Sequence, residues 1–174
     1  GNLTTYILKK NPKKIYVVEK DDELAILLKE KFENEIEIIN NDILKVDEDK
    51  ISDKKLTVFG NLPYNISTEI LSKWVININK IFWFENLILM FQKEVADRII
   101  AESNTSKYGR LSILTSWKLN VKKIIDIKPK SFSPRPKIDS SLLLFTPKEN
   151  FFELKNSKNL EMITRVFFSQ RRKM

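Results

Sequence analysis

The stretch Gly60-Asn61-Leu62-Pro63-Tyr64 joins two segments whose hydrophobic patterns differ. The run before it, residues 55–60, is short and rich in β-branched and aromatic side chains, which is typical of a buried strand. After it, residues 67–78 place apolar side chains at the spacing of one helix face. Because ligands bind at the carboxyl ends of strands in open α/β sheets, this junction is the first candidate for a functional site.

The same alternation of strands and helices runs through most of the chain. Apolar runs of strand length lie at residues 15–18, 36–39, 55–60 and 86–91. Helical patterns follow three of these runs, at residues 21–33, 67–78 and 92–101. This order predicts an α/β fold with a mostly parallel sheet and helices on both faces. A proline-rich loop joins two more strand-like runs, 121–127 and 140–145, which predicts an antiparallel hairpin at the end of the sheet.

The two ends of the chain depart from this pattern. Residues 1–147 are predicted to form one α/β domain, and residues 148–174, with a helical pattern at 159–169, to begin a small helical domain. A doubly wound fold opens with a strand and a glycine-rich turn, whereas this chain starts at Gly1, where such a turn would end. We therefore interpret the chain as a piece of a longer protein that lacks the first strand and most of the second domain.

Composition narrows the possible chemistry. The 174 residues contain no cysteine and no histidine, which excludes disulfides, thiol nucleophiles, imidazole bases and the usual zinc sites. Lysine and arginine outnumber the acidic residues by 31 to 23, and the resulting net charge of +8 favours a polyanionic partner. No apolar run approaches the roughly 18 residues of a membrane span, so we expect no membrane partner.

The residue types in Asn61-Leu62-Pro63-Tyr64 suit the methylation of an exocyclic amine on a nucleobase. The Asn61 amide oxygen and the Leu62 carbonyl could accept both N–H groups of such an amine and draw its nitrogen towards tetrahedral geometry. Pro63 restricts the turn, and Tyr64 offers a flat face for stacking, worth about 1–3 kcal/mol per base. The alternative from the residues alone is a plain turn that ends a strand.

A longer stretch around these residues, 61–68, resembles the catalytic motif of the ribosomal RNA adenine N6-dimethyltransferases, and most closely that of their KsgA-type small-subunit branch. Further stretches resemble motifs of this family in the same order: residues 1–4, Glu19, 41–44, 91–99, 108–112, 132–140 and 168–173. The resemblance runs over nearly the whole chain. It implies a Rossmann-like sheet that binds S-adenosylmethionine and uses no metal.

The resemblance also implies which residues bind the cofactor. Glu19, at the end of a strand, would accept the ribose hydroxyls, Asp42 would accept from the adenine amino group, and Ile43 would pack on the adenine ring. The cofactor-binding candidates are Gly1, Asn2, Glu19, Lys20, Asp42, Ile43 and Asn61. From the residues alone, Glu19 could instead be a charge at a helix start, and Asp42 an Asx-turn residue.

Phe132 lies in the proline-rich loop, where it could clamp a flipped base against Tyr64 or plug the core beneath the loop. The catalytic candidates are Asn61, Leu62, Pro63, Tyr64 and Phe132. Cations near these loops and at the end of the chain are candidates for phosphate contacts with RNA. They are Lys107, Arg110, Lys128, Lys130, Arg135, Lys137, Arg171, Arg172 and Lys173.

The resemblance implies dimethylation of the N6 amino groups of two adjacent adenines near the 3′ end of small-subunit ribosomal RNA, on an assembling subunit. We expect a cytoplasmic monomer, with an organelle as the other possible location. Two alternatives stay open: a large-subunit ribosomal RNA adenine methyltransferase of the macrolide-resistance type, and a non-catalytic RNA-binding or transcription factor of the same fold. Residues 108–112 and 170–173 favour the small-subunit branch.

Overall fold

The structure is a computed structural model that describes residues 1–78 and 80–169. Strands and helices alternate through it, as the sequence predicts. The chain divides into two compact units, Gly1–Asp53 and Lys54–Met174, which we call the first unit and the second unit. The domain boundary after residue 147 stays a prediction.

The first unit contains a two-stranded parallel sheet. Its elements are helix α1 (Asn2–Leu8), strand β1 (Tyr16–Glu19), helix α2 (Asp22–Phe32), strand β2 (Glu37–Asn40) and a 3₁₀ turn (Glu48–Lys50). The register pairs Tyr16 with Glu37 and Glu19 with Asn40, so both strands end at the same edge. This βαβ connection is the one that the sequence pattern predicts.

Helix α2 begins where the sequence indicates, but it leaves part of its apolar pattern uncovered. The Asp21 side chain caps the helix by accepting a hydrogen bond of 2.9 Å from the Leu24 backbone N–H. Ala25 and Phe32 are buried, whereas Leu24 and Leu27 are 49% and 57% exposed. Amphipathic spacing therefore predicts the helix correctly without predicting which of its apolar residues are covered.

The second unit contains a four-stranded mixed sheet in the order β3-β4-β6-β5. Its strands are β3 (Leu56–Gly60), β4 (Phe84–Gln92), β5 (Leu119–Ile127) and β6 (Ser140–Pro147). Strands β3 and β4 are parallel, whereas β6 is antiparallel to both β4 and β5. The predicted antiparallel hairpin is therefore confirmed as β5–β6, with β6 inserted next to β4.

The core of the second unit is centred on β4 and β6. Helices α3 (Ser67–Asn77), α4 (Lys93–Ile99), α5 (Arg110–Lys118) and α6 (Ser157–Ser169) complete the unit. The hydrophobic strand side chains without exposed surface are Phe84, Leu87, Leu89, Phe91, Leu143 and Phe145. Each such side chain stabilises the fold by about 1.5–3 kcal/mol through burial, and together they hold the strand ends in place.

Helix α5 is not predicted by the sequence pattern, although it contributes apolar side chains to the core. Leu114 and Trp117 are 1% and 6% exposed. The Ser112 hydroxyl accepts from the Gly109 backbone N–H at 3.2 Å and donates to the Arg98 carbonyl at 2.6 Å. This serine therefore stabilises the start of the helix and ties it to the end of α4.

A buried lysine connects α5 to the carboxyl end of α3. Lys118 is 2% exposed, and its Nζ donates to the Val75 carbonyl at 3.0 Å and to the Ile78 carbonyl. These carbonyls lie at the end of α3, where partners within the helix are missing. Burial lowers the pKa of Lys118 to about 8. The amine thus caps the helix that follows the Asn61-Leu62-Pro63-Tyr64 loop.

Candidate active site and cofactor edge

The loop after β3 packs closely against β4. A Cβ at Gly60 would lie 2.7 Å from Leu89 Cδ2 and 3.0 Å from Leu62 Cδ2, so a side chain there would displace the Leu89 side chain from its position. Glycine at the last position of β3 therefore lets Leu62 and Leu89 cover the strand end. The Leu62 side chain anchors the loop while its backbone stays at the edge of the sheet.

Hydrogen bonds fix this loop to the start of α3. The Pro63 carbonyl accepts from the Ile66 backbone N–H at 3.1 Å, and the Ser67 hydroxyl donates to the Tyr64 carbonyl at 3.2 Å. Ser67 is 2% exposed and is the first residue of α3. The loop is thus bounded by a strand and a helix, so its polar groups have a defined direction.

Asn61 is the exposed polar residue of the loop. Within residues 1–78 and 80–169, its side chain makes no hydrogen bond. Its amide oxygen is therefore available to accept a hydrogen bond from a ligand at the carboxyl end of β3. This arrangement is the one that the amine-binding hypothesis requires.

Tyr64 and Phe132 are both half-buried aromatic residues of the second unit. The Tyr64 hydroxyl lies 2.7 Å from the Ser140 hydroxyl. Phe132 follows the 3₁₀ turn Pro129–Ser131, and its backbone N–H donates to the Pro129 carbonyl at 3.1 Å. Sequence reasoning missed Ser140 as a partner of Tyr64, because no sequence signal pairs a serine with a tyrosine 76 positions away.

In the first unit, two carboxylates follow neighbouring parallel strands. Glu19 ends β1, Asp42 lies just beyond the end of β2, and the Asn41 backbone N–H donates to the Glu19 carbonyl at 3.1 Å. The structure therefore brings these two predicted cofactor residues to one edge of their sheet, which we call the cofactor edge. Glu19 Oε1 accepts from the Asp21 backbone N–H at 3.0 Å.

Asp42 is held as an ionised acceptor. Lys20 Nζ lies 2.8 Å from Asp42 Oδ2, and the Leu44 backbone N–H donates to Oδ1 at 3.0 Å. The hydrogen bond with Lys20 is the main cause that lowers the pKa of Asp42. A carboxylate has about four acceptor sites, so Asp42 retains capacity for an amine. The acceptor set of the cofactor edge therefore fits an adenosine.

The structure gives fewer contacts for the remaining cofactor candidates of the first unit. Gly1 precedes α1 and its carbonyl accepts from the Thr5 backbone N–H at 3.1 Å, and Asn2 is the first, exposed residue of α1. A Cβ at Gly1 would meet Lys31 Nζ at 3.4 Å, an ordinary contact. Ile43 is half-buried beside Asp42. Their predicted roles towards the cofactor stay predictions.

The nine predicted RNA-binding cations fall into three groups. Three of them form ion pairs: Lys107 with Asp97 at 2.7 Å, Arg110 with Glu161 at 2.5 Å and Lys128 with Asp139 at 2.6 Å. Three others are exposed and make no hydrogen bond or ion pair through their side chains in the described part of the chain: Lys130, Arg135 and Lys137. Arg171, Arg172 and Lys173 lie outside the described residues.

Neither a metal cluster nor a membrane span is found in residues 1–78 and 80–169. These residues contain no group of three or more acidic side chains arranged to hold a metal ion. None of their helices has both the length and the apolar character needed to cross a membrane.

Comparison with solved structures adds two likenesses. A dimethyladenosine transferase from Plasmodium falciparum is 30% identical with a TM-score of 0.74, covering 91% of this chain and 56% of that one. The 23S rRNA methyltransferase ErmE is 22% identical with a TM-score of 0.66, covering 90% of this chain and 62% of that one. These likenesses confirm the predicted Rossmann-like α/β fold.

Comparison with protein sequences extends the match over the whole chain. A ribosomal RNA small subunit methyltransferase A from Pelagibacter ubique is 82% identical over 174 residues, and one from a Wolbachia of Drosophila simulans is 45% identical over 178. The alignments cover all of this chain but 66% and 64% of those relatives, slightly less than two thirds of their length. The model of the ribosomal RNA adenine dimethylase family matches residues 1–174. The chain therefore belongs to the ribosomal RNA adenine dimethylase family.

Proposed function

We propose that the protein is an S-adenosylmethionine-dependent methyltransferase that dimethylates the N6 amino groups of adenines in small-subunit ribosomal RNA. The observation that carries the proposal is the intact Asn61-Leu62-Pro63-Tyr64 loop at the carboxyl end of β3, in a chain that matches the adenine dimethylase family throughout. The relatives' name supports the small subunit as the source of the RNA. Two adjacent adenines near the 3′ end, an assembling subunit as partner, a monomeric state and a cytoplasmic location belong to the same proposal.

The second unit would bind and orient the target base. The exposed Asn61 amide oxygen and the Leu62 carbonyl accept the N–H groups of the adenine amine, which directs the nitrogen lone pair towards the methyl donor. Pro63 keeps the turn fixed, and the rings of Tyr64 and Phe132 stack on the flipped base. No general base is required, because the proton of the methylated amine can leave to solvent.

The first unit would bind the cofactor. S-adenosylmethionine supplies an electrophilic methyl group, and the cofactor edge holds its adenosine part. Glu19 accepts from the ribose hydroxyls, Asp42 from the adenine amine, and Ile43 packs on the ring. Gly1, Asn2 and Lys20 complete the proposed set of cofactor contacts in this unit. Catalysis then rests mainly on alignment and on acceptors placed before the reaction.

The proposal is tested by incubating the whole protein with tritiated S-adenosylmethionine and RNA that lacks adenine methylation. Small-subunit particles and large-subunit RNA are offered separately. Label recovered as dimethyladenosine from the small subunit alone supports the proposal. Label in large-subunit RNA would point to the macrolide-resistance type, and RNA binding without label in either would point to a non-catalytic factor.

Replacing Asp42 with alanine is expected to weaken cofactor binding by about 10- to 150-fold, the range for losing one hydrogen bond to a charged group. Titration calorimetry with S-adenosylhomocysteine measures the effect. Asp47→Asn is the matched control, since Asp47 also pairs with a lysine, Lys50, at 2.8 Å but lies outside the cofactor edge. Equal affinities of the Asp42 variant and the unaltered protein would contradict the assigned role.

The unpaired cations of the loop before β6 are expected to contribute more to RNA affinity than the paired ones. Lys130→Gln/Lys137→Gln removes two exposed, unpaired charges, and Lys107→Gln/Lys128→Gln removes two charges that already pair with carboxylates. Removing one phosphate contact reduces the slope of log K against log salt by about 0.7–0.9. The first variant should therefore flatten the salt dependence by about 1.5, and the second by much less. Identical slopes for the two double variants would mean that RNA affinity depends on net charge and not on whether a cation is paired.

A further inference from the structure

One hydrogen bond links the loop after β3 to the strand that follows the Phe132 loop. The oxygens of the Tyr64 and Ser140 hydroxyls are 2.7 Å apart, the usual length of a good O–H···O hydrogen bond. Ser140 is 0% exposed. Water therefore does not compete for this bond from the serine side, and the two hydroxyls satisfy each other.

Ser140 is a rigid anchor. It is the first residue of β6 and pairs with Gln92 of β4 on one side and with Ile127 of β5 on the other. The preceding residue, Asp139, accepts a hydrogen bond from the Lys93 backbone N–H at 2.9 Å. The serine therefore has neighbours on both sides in the sheet and cannot move without breaking strand pairing.

Tyr64 is less constrained without this bond. Its backbone carbonyl is held by the Ser67 hydroxyl at 3.2 Å, but that contact does not determine where the ring lies. The residue is half-buried, so the hydroxyl bond to Ser140 restricts its side-chain rotation. The same bond connects the Tyr64 ring to the strand that begins eight positions after Phe132, the other proposed stacking residue.

We propose that Ser140 is a positioning residue that holds the Tyr64 ring in the orientation needed to stack on the target adenine. The inference rests on the proposed function. Without the bond the ring samples other rotamers, and fewer bound bases are aligned with the methyl donor. RNA binding as a whole depends mainly on phosphate contacts, so the turnover number falls while the Michaelis constant for RNA changes little.

The variants Ser140→Ala, Tyr64→Phe and their combination test the proposal, with Ser141→Ala as matched control. Ser141 is also 0% exposed, but its hydroxyl donates to Asp126 at 2.6 Å instead. Ser140→Ala and Tyr64→Phe should each lower the turnover number by about 3- to 10-fold, the value of one hydrogen bond. Because both remove the same bond, the double variant should lose no more than the worse single variant. Multiplying losses would overturn the proposal.

A readout independent of activity comes from ¹⁹F NMR after incorporation of 3-fluorotyrosine into the four tyrosines. The Tyr64 resonance, identified by its absence in Tyr64→Phe, should shift in Ser140→Ala and stay in place in Ser141→Ala. An unshifted resonance, or a shifted one with unchanged turnover, would overturn the positioning role. If the unaltered protein does not methylate RNA, the proposed function and the role of Ser140 in it are both overturned. A shift of the Tyr64 resonance in Ser140→Ala would then report only the contact between Tyr64 and Ser140.

Discussion

Replacing Asn61 with alanine is expected to lower the rate of adenine methylation by about 100-fold or more, the cost of one acceptor or donor that acts on the reacting group. The side chain is exposed at the end of β3 and makes no hydrogen bond in the described part of the chain. It is therefore free to accept from the target amine, and without it the nitrogen lone pair stays delocalised into the ring. The fold should be unaffected, because the substitution breaks no hydrogen bond within the described residues.

The measurement compares single-turnover methylation rates and RNA affinities of the variants. Asn61→Asp keeps an acceptor oxygen of similar size at the same place, so its loss of rate should be clearly smaller than that of Asn61→Ala. Asn120→Ala is the control for an exposed asparagine elsewhere, on β5. RNA affinity should stay within about twofold in the two alanine variants, because phosphate contacts carry most of it. Full activity of Asn61→Ala would remove the main support for the mechanism.

The strands and helices around the site were predictable because their signals are local. The apolar run before Gly60 and the helical pattern after Ser67 place the loop at a strand end, where the structure has it. The order of the sheet was not predictable to the same extent. Nothing in the local pattern of residues 140–145 shows that β6 lies between β4 and β5, because strand neighbours are chosen by contacts distant in sequence.

Ion pairs within the site are also formed by contacts that local sequence does not predict. Lys128 and Lys130 look alike in the sequence, yet Lys128 pairs with Asp139 at 2.6 Å and Lys130 is exposed and unpaired among the described residues. Arg110 pairs with Glu161, which lies 51 positions away on α6. Residue type thus predicts the sign of the surface charge, whereas the acidic partners that neutralise individual cations follow from the fold.

Helix α5 is the element that local patterns missed for a physical reason. Ser112 and Thr115 are poor helix formers, since their hydroxyls compete for backbone groups. In the structure the Ser112 hydroxyl bonds outside the helix, to the Arg98 carbonyl of α4, whereas the Thr115 hydroxyl donates to the Leu111 carbonyl of its own helix at 2.7 Å. Tertiary contacts therefore stabilise a helix that propensity alone does not favour.

Replacing Lys118 with alanine is expected to lower the free energy of unfolding by about 2–5 kcal/mol, the range for truncating a large buried side chain. The stem of this lysine fills space beside Trp117, whose ring centroid lies 3.9 Å from Nζ. The amine also satisfies the Val75 and Ile78 carbonyls. Lys118→Met keeps most of the stem and loses only the amine, so it should cost less, about 1–3 kcal/mol for the carbonyls left unpaired. Urea denaturation of both variants measures these costs.

The pH dependence of stability separates the charge of Lys118 from its packing. Burial lowers the pKa of Lys118 from 10.5 to about 8 in the folded protein. Between these two values the unfolded chain holds a proton that the folded chain has lost, so the free energy of unfolding rises as pH rises through this window. Lysines whose pKa is raised by hydrogen bonds to carboxylates, such as Lys20 with Asp42 and Lys93 with Asp126, act in the opposite direction.

The difference between the unaltered protein and Lys118→Met isolates this one group, because the lysines with a raised pKa are common to both. That difference should favour the unaltered protein increasingly from about pH 8 to pH 10.5, since a neutral amine still donates to both carbonyls without the cost of a buried charge. A difference that is constant with pH would mean that Lys118 keeps its ordinary pKa in the folded state. A destabilised α3 should also loosen the Asn61-Leu62-Pro63-Tyr64 loop at its other end, so Lys118→Met should show faster amide exchange at Ile66, whose N–H bonds to the Pro63 carbonyl.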